Sequence, residues 1–178
     1  MKNSFIHGVC AALVKNKVIS QQEATNLEKA FKDSAQENFD NFLISENIVS
    51  RADLLKALSE YYEVPSFDAV GYTFDHDLVK EFPENFLVNH GVIPLERDEN
   101  MLFMVVNDPN NEEMLPELAE YVSDEVNFFV GIHQDILDAV EAYYEDSPFH
   151  TADDEIDRRD ELFEDEQLLK DVIDDKEE

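Results

Sequence analysis

Two stretches of this chain align at an offset of 30 residues, and the repeat constrains the fold more than any single residue does. Leu13-Val14-Lys15-Asn16-Lys17-Val18-Ile19-Ser20 matches Leu43-Ile44-Ser45-Glu46-Asn47-Ile48-Val49-Ser50. Each copy reads as two apolar residues, three polar ones, two apolar ones and a serine placed to open a new helix. Self-similarity of this kind is the mark of one supersecondary unit built twice, here a helical hairpin. Ser20-Gln21-Gln22-Glu23 has the form of a capping box, in which hydroxyl and carboxylate each satisfy an orphan backbone N–H. Ser50-Arg51-Ala52-Asp53 is its shorter-armed counterpart, with aspartate in place of glutamate. No proline occurs before Pro65, and apolar residues such as Phe5, Val9, Ala12 and Leu13 recur at helical spacing. Helices are expected near 5–16, 20–34, 37–46 and 50–62, forming a small bundle.

The pattern changes at Val64-Pro65-Ser66-Phe67, where proline and β-favouring residues mark a boundary. Two short helices are expected near 75–82 and 84–90, the second closed by Gly91 in a left-handed cap. Val92–Leu95 and Met101–Val106 flank a polar segment, Arg97 to Asn100, and read as a β-hairpin. Asn107-Asp108-Pro109-Asn110 reads as a turn that caps a helix running to about Val122. A strand over 126–130 and a helix from His133 to Tyr144 follow. The expected class is α+β: an N-terminal helical bundle of duplicated hairpins (1–62), then a small α/β sandwich with a mixed sheet (63–145), then an acidic tail (146–178).

Charge narrows the function. The chain carries 43 acidic and 13 basic residues, a formal net charge of −30. Phosphate backbones and anionic membrane surfaces need clustered Lys and Arg, so neither is an expected partner, and no apolar run approaches the ~20 residues of a membrane span, so direct membrane insertion is not expected either. The natural complement is a basic partner, and a solvated acidic surface that confers solubility is the plainer alternative. A single cysteine, Cys10, allows no internal disulfide and fits a reducing compartment; in its apolar helical setting it reads as a core residue. The four glycines form no phosphate-binding loop, and the five histidines show no metal-ligand spacing. No constellation supports catalysis, and neither a cofactor nor a metal is expected in this chain. In the tail, Leu162, Phe163, Leu168, Leu169, Val172 and Ile173 fall near helical spacing between charges, a stripe able to fold against a partner.

Several segments in order carry a resemblance. The first hairpins lead to Tyr62-Glu63-Val64-Pro65-Ser66-Phe67-Asp68. Phe82-Pro83-Glu84-Asn85-Phe86-Leu87-Val88-Asn89-His90-Gly91-Val92-Ile93-Pro94-Leu95 follows, then Met101-Leu102-Phe103-Met104-Val105-Val106-Asn107-Asp108-Pro109-Asn110, and a closing helix ends at Tyr143-Tyr144. Together they resemble the N-terminal region of the assembly ATPases of type IV pili and type II secretion. The resemblance implies a non-catalytic domain that docks the motor onto cytoplasmic domains of the inner-membrane platform, hence a cytoplasmic protein held at the inner membrane through its partners. ATP and Mg chemistry would lie in a C-terminal RecA-like domain beyond these residues. The chain is then either a fragment of such an ATPase or a stand-alone relative, monomeric in isolation and hexameric only with an ATPase domain.

One branch of that family binds cyclic di-GMP through two copies of Arg-Leu-Gly-x-x-Leu-Val-x-x-Gly-Leu-Ile-Ser. Here the first triplet aligns with Gly8-Val9-Cys10 and Asn38-Phe39-Asp40, and the later glycine with Lys17 and Asn47. The loss of both arginines removes the groups suited to phosphate and guanine, and Asp40 adds a negative charge near the expected phosphate position. The degenerate positions Gly8, Cys10, Asn38 and Asp40 therefore point away from nucleotide binding. A cyclic di-GMP sensor and a stand-alone acidic adaptor stand as the alternatives to docking.

Overall fold

The computed structural model describes residues 2–145, and the tail stripe from Leu162 to Ile173 lies outside them. Four helices come first: α1 (Lys2–Lys15), α2 (Gln21–Asp33), α3 (Phe39–Ser45) and α4 (Arg51–Tyr62). The repeat is reproduced bond for bond at its turns. Val18 N–H donates to the Leu13 carbonyl and Lys17 N–H to that of Val14, each at 3.0 Å. Ile48 and Asn47 repeat the pair onto Leu43 and Ile44, again at 3.0 Å. Both turns are Schellman caps, which satisfy the last helical carbonyls through one residue in the left-handed region. That residue is Lys17 at φ 60° in the first copy and Asn47 at φ 53° in the second.

The helix starts differ in a way set by side-chain length. Glu23 accepts from Ser20 N–H at 2.6 Å while Ser20 Oγ accepts from Glu23 N–H at 3.2 Å, completing the box. Asp53, one methylene shorter, takes the Ser50 hydroxyl instead at 2.9 Å. Ser50 still accepts from Asp53 N–H, so the cap survives without its reciprocal half.

After α4 come α5 (His76–Lys80), α6 (Glu84–His90), β1 (Val92–Asp98), β2 (Met101–Val106), α7 (Met114–Tyr121), β3 (Glu125–Val130) and α8 (His133–Glu145). The fold is α+β. The sheet has the order β1-β2-β3, with β1 antiparallel and β3 parallel to β2. Pro94 lies on the edge strand, where its missing N–H costs the sheet nothing, and a bulge follows it before Glu96. Gly91 closes α6 in the left-handed conformation at φ 59°.

One sequence expectation needs correction. Asn107–Asn110 does not cap α7, which begins only at Met114. Asp108 accepts from Asn110 N–H and Asn111 from Glu113 N–H, both at 3.0 Å, so two successive Asx turns extend the loop before the helix starts. The boundary segment, moreover, pairs with the sheet: Phe67 N–H donates to the Val130 carbonyl and Val130 N–H to that of Pro65, both at 2.9 Å.

That pairing brings the end of β3 under the bundle. Leu13, Leu43, Leu54, Leu58 and the other interior residues of the four helices share one core with Val130 and Ile132. The chain as far as Glu141 is one compact unit. Each fully buried Leu, Ile or Phe in it contributes about 1.5–3 kcal/mol of burial.

Candidate functional site

A cavity of about 680 Å³ opens between the start of α1, the end of α4, the start of α3 and the loop after β2. Its aromatic wall follows from one small residue. A Cβ built on Gly8 would stand 2.3 Å from the Tyr61 ring, so only glycine lets α1 lie flat against that ring. Phe5 then packs edge-on to Tyr61 with centroids 5.4 Å apart, and Tyr61 packs edge-on to Tyr62 at 4.8 Å. Phe31 and Phe39, at 5.2 Å, continue the wall.

The rest of the lining is acidic. Glu37 and Asp40 border the space together with the loop residues Asp108, Glu112 and Glu113, and no Lys, Arg or His lines it. The loop is held in place from behind. Asn107 N–H donates to the Gly91 carbonyl at 3.1 Å, and His90 meets Glu117 at 2.7 Å. Burial pushes the Tyr62 phenol well above its ordinary range, and the charges of Asp108 and Asp40 push it further. The wall thus stands in a negative potential.

The four residues singled out from the degenerate motif divide between two places. Asn38 and Asp40 line the cavity, whereas Gly8 and Cys10 do not. Gly8 is the close-packing position under Tyr61, so the ring fills the space a longer side chain there would need. Cys10 is 2 % exposed, and burial pushes its thiol up to about 12. Asp40 is 7 % exposed and does structural work. Its Oδ2 accepts from His133 N–H at 2.9 Å, and its Oδ1 accepts from Asn41 N–H at the same distance.

This bond belongs to a clamp. Helix α8 follows Ile132, whose side chain cannot accept a hydrogen bond, so its first N–H groups lack a local cap. Helix α3 supplies one from outside, through Asp40 to His133 and through Asn41 Oδ1 to Gln134 N–H at 3.3 Å. A carboxylate there also complements the positive end of the α8 dipole. Arg51, at the start of α4, pairs with Asp135 in the first turn of α8. Burial raises the Asp135 pKa, and Arg51 opposes the shift.

Arg97, near the tip of the β1–β2 hairpin, is internally engaged. Arg97 makes two 2.9 Å bonds to the Glu81 carboxylate and lies 3.3 Å from Asp124. The tail stripe (Leu162, Phe163, Leu168, Leu169, Val172, Ile173) lies outside the described residues. Sequence reasoning missed the cavity wall: Tyr61-Tyr62 at a helix end was the available signal, and the loop over 107–113 read only as a turn. Among the described residues, no cluster of His, Cys, Asp and Glu is arranged for a metal ion, and no helix is long and apolar enough to cross a membrane.

Comparison with known proteins matches this geometry to a family. The MshEN domain model matches residues 62–150. The type IV pilus assembly ATPase PilB of Myxococcus xanthus (strain DK1622) is 26% identical over 135 residues, covering 74% of this chain and 23% of PilB. The chain thus spans about a quarter of that relative's length. The structure of MshE with cdg superimposes with a TM-score of 0.60 at 20% identity, over 76% of this chain and 98% of the other. The N-terminal domain of XpsE gives 0.53 at 19% identity, over 75% and 92%. These superpositions share the fold, and the family model covers half of the sequence: the chain belongs to the MshEN domain family.

Proposed function

We propose that this chain is a non-catalytic docking and regulatory domain of a type IV pilus assembly or type II secretion ATPase, coupling the motor to cytoplasmic domains of its inner-membrane platform. The reading rests on family membership together with the likeness to PilB over about a quarter of that ATPase and to the XpsE N-terminal domain. The clamp supports it physically. A coupling element must transmit displacement without deforming, and here Asp40, Asn41 and Arg51 tie the second hairpin to α8 over a shared core. On this reading the domain is cytoplasmic, is recruited to the inner membrane by protein partners and is a monomer in isolation. ATP and Mg are handled elsewhere in the motor.

The test is calorimetric titration of the purified chain with the cytoplasmic domain of an inner-membrane platform protein from the same cells. Saturable binding is expected at about 0.15 M salt, where the Debye length is about 8 Å. Binding that vanishes between low and moderate salt would instead favour a non-specific acidic adaptor. The chain alone is expected to release no phosphate from ATP.

A second reading, cyclic di-GMP sensing, is favoured by the superposition on MshE with cdg and by the left-handed turns kept at Lys17 and Asn47. The acidic cavity and the Tyr61 ring over Gly8 oppose it. Equilibrium dialysis against cyclic di-GMP decides: retention of the dinucleotide by the folded chain would restore the sensor reading.

A further inference from the structure

We propose that the cavity between α1, α4 and the 107–113 loop is a binding site for an organic cation, a guanidinium or alkylammonium group on an aliphatic stem. Its volume, about 680 Å³, falls within the ordinary range for ligand pockets, roughly 300–1,000 Å³. Two features of different origin select the same ligand class. Phe5, Tyr61 and Tyr62 line the space together, and aromatic rings attract cations through their quadrupole. The facing loop supplies Asp108, Glu112 and Glu113, and no basic side chain lines the space to neutralise them.

An anion entering here would meet carboxylates and no donor cation. A bare metal ion would find no group of three ligands arranged for it. An organic cation satisfies both sides, its apolar stem against the rings and its charged head toward the loop. Burial raises the Tyr62 phenol first, and the nearby charges of Asp108 and Asp40 add to the shift. The inference does not depend on the docking reading. The cation comes either from an Arg or Lys side chain of a protein or from a free polyamine, and the two sources are separable.

The chain contains six tyrosines and no tryptophan, so its emission comes from tyrosine alone, and two of the six, Tyr61 and Tyr62, line the cavity. The full chain is titrated at about 0.15 M salt with spermidine in one arm and a short Arg/Lys peptide in the other. The triple variant Asp108→Asn, Glu112→Gln, Glu113→Gln removes three charges and keeps the Asp108 turn acceptor. The triple Glu96→Gln, Asp98→Asn, Glu99→Gln removes as many from the exposed hairpin and controls for bulk attraction. Saturable binding is expected in at least one arm. It should weaken about tenfold or more in the cavity triple and less than about twofold in the hairpin triple, with unchanged melting temperatures. Tyr62→Leu, which removes a ring face, should weaken it further. Saturation by the peptide identifies a protein-borne cation, and saturation by spermidine a free amine. Equal weakening by both triples, or no saturable binding in either arm, overturns the site.

Discussion

The two helical hairpins share a backbone plan and differ in what they hold. Both close their first helix with the same Schellman bonds, and both open their second at a serine. Position 10 in the first copy and position 40 in the second are equivalent and equally sequestered, yet one is a cysteine in the bundle core and the other a carboxylate bonded to α8. Ala11 and Gln21 likewise correspond to Asn41 and Arg51, which complete the clamp. Duplication preserved the pattern that makes a hairpin. The start of α8 bonds to the second copy, and those bonds decided which residues that copy needed. At the other end, the equivalent Phe31 and Tyr61 both line the cavity, so there the copies act together.

The largest expected effect tests what the copies share. Leu13 and Leu43 are both 0 % exposed, and changing either to alanine should cost about 2–5 kcal/mol by urea unfolding. Losses differing by more than about 1.5 kcal/mol would break the equivalence of the two cores. The next tests what separates them. Asp40→Ala should cost about 1.5–3 kcal/mol, since it strands the first N–H of α8 and removes a charged acceptor. Cys10→Ala should cost only about 1 kcal/mol, for a small apolar group. Equal losses would mean that the clamp contributes nothing.

The Cys10 thiol sharpens the contrast through pH. Its folded-state pKa, about 12, lies above the ordinary value of 9.0, so the unfolded chain loses the proton first. Stability from this group is fully present below pH 9 and declines from there toward about pH 12. Alkylation of the thiol by iodoacetamide at neutral pH should track global unfolding; fast labelling of the folded chain would show that the first hairpin opens locally. The smallest effect lies at the turns. Lys17→Gly should stabilise by about 0.5–1 kcal/mol, because glycine enters the left-handed region without a Cβ clash. Asn47→Gly should gain only a few tenths, asparagine already tolerating that region. A destabilised Lys17→Gly would mean that the lysine side chain contributes more than its backbone strain costs.

The sequence determined the local elements because each rests on short-range signals. Paired apolar residues, a three-residue polar turn and a serine fix a Schellman cap and a new helix start, and Gly91 fixes the end of α6. The β1–β2 hairpin follows from two β-favouring runs around four polar residues. Those signals are made by neighbours in the chain, so neighbours suffice to read them. The start of α7 was misplaced because Asp108 and Asn111 each fit either a cap or an Asx turn, and only the path of the loop chooses between them.

The candidate site was legible only in fragments. Asn38 and Asp40 drew attention as departures from a motif, but nothing near Asp40 says that its partner lies 93 residues away at His133. Ile132 gives no cap signal at all, since the cap for α8 comes from another helix. Tyr61 and Gly8 are 53 positions apart in the sequence, and their contact fixes the cavity wall. Composition alone established that the chain is strongly acidic. Only the tertiary structure decided that five acidic residues line the same cavity as a set of aromatic rings, because bringing distant charges and rings together is the work of the shared core and not of local preference.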